Sequence, residues 1–225
     1  NLAVKGNVRA QEYVGGVIGY NDGTVENVYN VATIEGSQYI GGVIGYNGGS
    51  LSLTYNTGHI FASGKYAGGI TGYNQGSIEN GYSSARVHAT QYVGGVTGFN
   101  TGSLANLYYN KTMIEFYSPG NGLQKPSLAI GNQQNSDDVT GLGKEEMFNL
   151  NTMNFDSTMW TVKNKTGMWD YFPQLTSFAS FGSTVTTNSI ESVRIIRFAS
   201  GNGDENSPYI IRNAEDMVVL TEVAK

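Results

Sequence analysis

The stretch Tyr13-Val14-Gly15-Gly16-Val17-Ile18-Gly19-Tyr20-Asn21-Asp22-Gly23 decides the fold, because the chain writes it again from Tyr39, Tyr66 and Tyr92. Each copy opens on Tyr and an aliphatic residue or Ala, then runs Gly-Gly, Val or Ile, a variable residue, Gly, Tyr or Phe, Asn, a variable residue, Gly. The copies are spaced by 26, 27 and 26 residues. Periods of this length belong to solenoids, propellers or arrays, so the unit is read before any single residue.

Aligned copies separate fixed from variable columns. Val17, Val43, Ile70 and Val96 are always aliphatic, whereas the next column holds Ile18, Ile44, Thr71 and Thr97. Val25, Leu51, Ile78 and Leu104 recur, as do Tyr29, Tyr55, Tyr82 and Tyr108. Ile34, Ile60, Val87 and Met113 form the last apolar column at this spacing. Short alternating runs broken by Gly-Gly, Asn-Asp-Gly and Asn-Gly-Gly read as strands and tight turns. Each unit then supplies about three short strands. One unit cannot bury its apolar face, but stacked units place Val on Val and Tyr on Tyr.

Competing repeats fail. Gly and β-branched residues are poor helix formers, and no apolar stripe at i, i+3, i+4 runs through the units. A propeller blade needs roughly 40 residues and four strands. The reading is all-β: a right-handed parallel β-helix of about four rungs.

The glycines and asparagines fit that architecture. Gly15-Gly16 and its copies Gly41-Gly42, Gly68-Gly69 and Gly94-Gly95 suit a corner where a Cβ would strike the next rung. Gly23, Gly49, Gly76 and Gly102 follow Asn-x and read as turn positions needing positive φ. Asn21, Asn47, Asn74 and Asn100 stack at that turn, which predicts an amide ladder satisfying turn backbone groups.

Gly-Gly-Val-Ile-Gly-Tyr-Asn at 15–21 and 41–47, Gly-Gly-Ile-Thr-Gly-Tyr-Asn at 68–74 and Gly-Gly-Val-Thr-Gly-Phe-Asn at 94–100 resemble GLUG-motif repeats. The copies cover residues 13–116. That resemblance implies a large bacterial surface protein, such as filamentous-haemagglutinin-like adhesins or the repeat regions attached to IgA-cleaving metallopeptidases. The segment from Tyr108 through Tyr171-Phe172-Pro173-Gln174-Leu175 resembles the close of such an array, and Gly201 to Met217 the opening of another.

The organisation expected is a solenoid over 1–116, a capping segment over 117–176, a linker over 177–192 and the start of a following module over 193–225. Met147, Phe155, Trp160, Trp169, Tyr171 and Phe172 are the expected cap core. Asn213 can N-cap a short C-terminal helix over 214–224, with Glu215 and Asp216 favouring its dipole. Residues 4–10 line up with the tail of a later unit and read as the end of a rung whose start lies upstream, in a longer protein.

Composition narrows the function. Charged residues make up 14% of the chain, against a usual quarter, while Gly (31) and Tyr (15) are heavily used. A net charge of -5 argues against nucleic-acid binding. With no cysteine there are no disulfides and no thiolate chemistry, which fits an exported protein. No apolar run reaches the roughly 18–20 residues of a membrane span, and residues 1–5 carry no signal-peptide pattern.

The search for chemistry returns no catalytic, cofactor-binding or metal-binding residue. His59 and His88 fall in adjacent columns and sit in no zinc motif. No nucleophile elbow is present. Glu26 and Glu79 share a column, but Ser52 lies between them and Ala105 follows, so no acidic face forms as a polysaccharide lyase would need. Asp137-Asp138 and Asp204-Glu205 read as solvated loop charge.

The expectation is a non-enzymatic segment of a secreted or cell-wall-associated bacterial surface protein, extracellular, acting as an adhesin-type binding module or rigid stalk. Its alternatives are an accessory substrate-docking region of a secreted metallopeptidase and a carbohydrate-active β-helix enzyme. Expected partners are host glycans or glycoproteins, with Tyr stacking on sugar faces, neighbouring modules of the polypeptide, and a second copy through end-to-end association.

Overall fold

The computed structural model describes residues 1–118, 122–124, 128–133, 136–162 and 172–179, all within one compact unit, Asn1–Phe181. The chain winds as a parallel β-solenoid of about four turns. Four sheets run along it, so each turn carries four strands rather than about three. The extra break comes from the Gly-Gly pair, which splits Glu12–Gly15 from Ile18–Asn21.

The first sheet stacks Leu2–Val4, Thr24–Asn30, Ser50–Asn56, Ser77–Ser83, Ser103–Asn110 and Val139–Leu142. The second stacks Asn7–Arg9, Thr33–Gly36, Ile60–Ala62, Val87–Ala89 and Ile114–Ser118, with Gly122–Gln124 added antiparallel. The third holds Glu12–Gly15, Gln38–Gly41, Lys65–Gly68 and Gln91–Gly94. The fourth holds Ile18–Asn21, Ile44–Asn47, Thr71–Asn74 and Thr97–Asn100.

Register follows the repeat. Tyr29 pairs with Tyr55, Tyr55 with Tyr82 and Tyr82 with Tyr108. Ile40, Val43, Ile44, Ile60, Ile70, Val87 and Val96 are fully buried inside the coil. Burying each such side chain is worth about 1.5–3 kcal/mol relative to leaving it in water.

The last apolar column departs from the spacing. Val87 pairs with Ile114, not Met113. In earlier turns Asn30 Oδ1 accepts from the Ala32 N–H (3.0 Å) and Asn56 Oδ1 from the Gly58 N–H (2.9 Å). In the fourth turn Tyr109 sits opposite Ser83, and Asn110 one place later accepts from the Thr112 N–H at 3.1 Å. The inserted ring shifts everything downstream by one residue.

The turn glycines also have a different cause from the one expected. The left-handed region is occupied instead by Tyr13, Tyr39, Tyr66 and Tyr92 and by Asn27, Leu53, Asn80 and Asn106, while among described glycines only Gly6 has positive φ. Gly76 is required by stacking: a Cβ there would lie 1.8 Å from the Gly49 carbonyl oxygen of the rung beside it. The corner pairs behave as read, since a Cβ on Gly42 would meet the Gly69 carbonyl oxygen at 2.2 Å.

Two separate layers close the last turn and one flank. The end of the coil is covered by backbone: Val139–Leu142 pairs with Ser103–Asn110, and the Gly95 and Val96 N–H groups donate to the Leu128 and Ala129 carbonyls at 2.8 and 3.0 Å. The aromatic part of the capping segment instead lies along the outside of the first sheet. There Met147, Met153, Phe155, Trp160 and Leu175 bury the Tyr29–Tyr55–Tyr82–Tyr108 column. Phe172 is half-buried against this cluster, while Trp169 and Tyr171 lie outside the described residues.

The chain then runs back to the first turn. Tyr82 OH donates to the Pro173 carbonyl at 2.6 Å, and Thr176–Ala179, reaching into the stretch expected as linker, forms one helical turn. Phe178 of that turn packs edge-on against Tyr29 with ring centres 4.8 Å apart. The helix expected over 214–224 lies outside the described residues.

Candidate functional site

Alternation along the second sheet sends Val8, Ile34, Ile60 and Val87 inward and therefore sends Arg9, Glu35, Phe61 and His88 outward. These four stand in register, one per turn, although the sequence makes them unlike each other. Beside them the chain bends at Ala10-Gln11, Gly36-Ser37 and Ala62-Ser63, and the bend leaves an open groove of about 730 Å³ along the column. The corner is fixed by backbone bonds, the Ser37 N–H to the Gln11 carbonyl at 2.8 Å and the Ser63 N–H to the Gly36 carbonyl at 2.9 Å.

The groove is nearly neutral. Arg9 Nε lies 3.5 Å from Glu35 Oε2, with both side chains largely solvent-facing, so the pair is worth little to stability. Phe61 is 38% exposed, a high value for a large apolar side chain on a sheet. Its ring meets His59 edge-on at 6.5 Å. His59 stands in the adjacent column, as expected, and its Nδ1 accepts from the Arg86 N–H at 3.3 Å.

A second surface feature joins the third and fourth sheets. Tyr13, Tyr39, Tyr66 and Tyr92 stack at 4.7, 5.0 and 5.1 Å between ring centres. Tyr20, Tyr46, Tyr73 and Phe99 stack at 4.7, 5.2 and 5.0 Å. The two files meet edge to face, for example Tyr13 against Tyr20 at 6.1 Å. Left-handed backbone at the leading tyrosines aims their rings outward, a conformation that costs roughly 1 kcal/mol for a residue with a Cβ.

Partial burial, then neighbouring phenols, hold the Tyr39 and Tyr46 hydroxyls above the ordinary tyrosine value. In the buried first-sheet column, burial pushes the Tyr55 and Tyr82 hydroxyls well above it.

The stacking bears on what these rings can do. Each face inside a file lies against the ring of the next turn. Among the described residues the end rings, Tyr13 and Tyr20 at one end and Tyr92 and Phe99 at the other, therefore have a ring stacked on one face alone. Tyr13 and Tyr20 are the most exposed of them, at 42% and 54%. A sugar face laid within the tyrosine files would have to displace a neighbouring ring, which leaves the end rings as the open faces. The files act first as scaffold.

Acidic chemistry stays dispersed. Glu26 faces Ser52, Ser52 faces Glu79 and Glu79 faces Ala105, as the columns implied. Asp138 Oδ2 accepts from the Ser136 hydroxyl at 3.2 Å in an exposed loop, and Asp204-Glu205 lies outside the described residues. Among the described residues no three His, Asp or Glu side chains gather closely enough to hold a metal ion, and no helix is long and apolar enough to cross a membrane.

Sequence reasoning passed over the groove because its column is variable. The available signal was Phe61, an apolar ring at a position where the other turns carry charge or imidazole. It also passed over a second, inner amide column, in which Asn30 Nδ2 donates to Asn56 Oδ1 at 2.9 Å in a fully buried setting. The signal there was Asn, Asn and Ser directly after the fixed Tyr.

No curated protein and no solved structure matches the chain. A repeat motif and the solenoid fold together suggest a structural repeat rather than a catalytic domain. Residues 10–35 match the family described as the GLUG motif, and the later turns stack in register on that one, which supports a GLUG repeat region.

Proposed function

We propose that this chain is a non-enzymatic module of a secreted or cell-wall-associated bacterial surface protein, and that it acts by rigid display of a recognition face. The observation that carries this reading is the division of labour between columns. Fixed columns are consumed by stacking, amide ladders and ring files, whereas the variable outward column Arg9, Glu35, Phe61, His88 lines a concave groove. Concave sites with one apolar wall and a few polar groups are the usual form of small-ligand sites. Many such modules in series add reach and avidity without new contacts.

Low surface charge supports polar, weakly charged partners such as glycans and glycoproteins. The test is a glycan and host-glycoprotein array probed with the full chain. Reproducible binding to a related set of glycans supports the adhesin-type role. Silence across the array removes recognition and leaves a stiff stalk, a role the continuous ladders also favour.

A further inference from the structure

We propose that the groove on the second sheet binds an uncharged oligosaccharide lying along the solenoid axis, with the Phe61 ring beneath one sugar. The proposal rests on the binding-module reading and places recognition away from the tyrosine files.

The ring comes first. Among the described residues the exposed aromatic side chains are Tyr13, Tyr20 and Phe61, and the two tyrosines belong to the files. Phe61 stands between Glu35 and His88 in its column, so no phenol or phenyl ring from the next turns lies over it. A sugar has one face of C–H bonds, and the exposed part of the Phe61 ring is the apolar surface the groove offers it. Phe61 has no hydroxyl to satisfy, so its contribution is apolar contact.

Polar groups around the ring suit hydroxyls. Arg9, Gln11 and Glu35 end in planar groups with donors or acceptors side by side, and His88 adds a ring nitrogen. The guanidinium, amide and carboxylate can each engage two neighbouring hydroxyls at once, which fixes the orientation of a sugar over the ring. The Arg9–Glu35 pair cancels its own charge, so the groove matches a neutral ligand. A carboxylated polymer would have to separate that pair and face Glu35.

Spacing favours a glycan over a peptide. Neighbouring strands stand about 4.8 Å apart, so the column from Arg9 to His88 spans roughly 14 Å. An extended peptide along the same line presents same-face side chains every ~6.6 Å, out of step with the turns. The ring-to-ring advance of an extended, equatorially linked glycan is close to one turn. About three sugars fill the groove, one per step of about 4.8 Å.

Isothermal titration of the full chain with β-1,4-linked gluco-oligosaccharides of about two to five rings, each ring spanning about one strand spacing, is the test. Oligogalacturonides of equal length serve as the charged comparison. Affinity should rise about tenfold from two rings to three and then level off, tenfold being about 1.4 kcal/mol. Phe61→Ala should weaken the three-ring ligand about tenfold or more, and Phe61→Trp should restore it, with melting curves of both variants separating a lost contact from a lost fold.

Binding that ignores Phe61→Ala and Gln11→Ala overturns the groove while leaving the binding-module reading intact. Tighter binding of the charged series overturns the neutral-ligand claim. If neither series binds but the array finds other ligands, the assigned glycan class is wrong. If nothing binds in either experiment, both readings fall.

Discussion

Asn47 Nδ2 donates to Asn74 Oδ1 at 2.8 Å, while Asn47 Oδ1 accepts from Asn21 Nδ2 at the same distance. The bond is one step of a relay that Asn74 continues to Asn100, again at 2.8 Å. Each amide also holds its own turn, as Asn47 Nδ2 reaches the Gly49 and Ser77 carbonyls at 3.3 and 3.1 Å. The side chain is fully buried, so its loss cannot be made good by water.

Asn47→Ala therefore strands a donor on Asn21 and an acceptor on Asn74. The expected cost is about 2–4 kcal/mol, read from urea unfolding. Asn100→Ala, at the end of the relay, should cost about half as much. Equal losses at both sites would show that the relay is not the source of the stability.

Thr71 carries the opposite signature. Its hydroxyl is buried and has no hydrogen-bond partner, whereas Thr97 Oγ1 in the next turn donates to the Phe99 carbonyl at 3.0 Å. Ile18 and Ile44 already occupy the column in the first two turns. Thr71→Val should stabilise the fold by about 1 kcal/mol, and Thr97→Val should not. Thermal melting of the two variants side by side decides it.

Equivalent glycines should respond unequally. A Cβ at Gly76 would sit 1.8 Å from a backbone oxygen, whereas at Gly23 the nearest atom is Asn21 Oδ1 at 3.9 Å. Gly76→Ala is expected to cost about 3 kcal/mol or more, since the backbone on both sides is held by ladder bonds. Gly23→Ala should change stability by less than about 0.5 kcal/mol. A large loss at Gly23 would point to a demand of the turn itself rather than of stacking.

Tyr82 ties the returning chain to the coil through its hydroxyl. Tyr82→Phe should cost about 1–2 kcal/mol and speed hydrogen exchange in residues 172–179 more than in the coil.

The same burial sets an alkaline limit. The folded pKa values of Tyr55 and Tyr82 lie above the unfolded value of 10.0, because burial disfavours the phenolate. Their contribution is complete below about pH 10 and is lost as pH climbs toward the folded values. Unfolding free energy should fall with pH above about 10, and the fall should be shallower in Tyr55→Phe with Tyr82→Phe.

The repeat alone was enough to read out the coil, because a fixed period with fixed apolar columns leaves stacking as the way to bury each face. Asn21, Asn47, Asn74 and Asn100 declared their ladder for the same reason: equal spacing puts equal groups above one another. The groove was harder to read, since Arg9, Glu35, Phe61 and His88 share a column only through register and share no chemistry.

What the sequence determined by itself is the period, the inward columns and the outer amide ladder, all set by contacts one turn apart. The tertiary structure alone decided where the aromatic segment lies, the shift that Tyr109 imposes on Ile114, and the left-handed backbone at Tyr13 and its copies. Those features depend on meetings that no local pattern encodes, such as Tyr82 with Pro173, 91 residues away, and Asn27 with Ser177, 150 residues away. Turn glycines stand between the two: their recurrence was written in the sequence, but its cause at Gly49, Gly76 and Gly102, a carbonyl of the neighbouring turn, appears only once the turns are stacked.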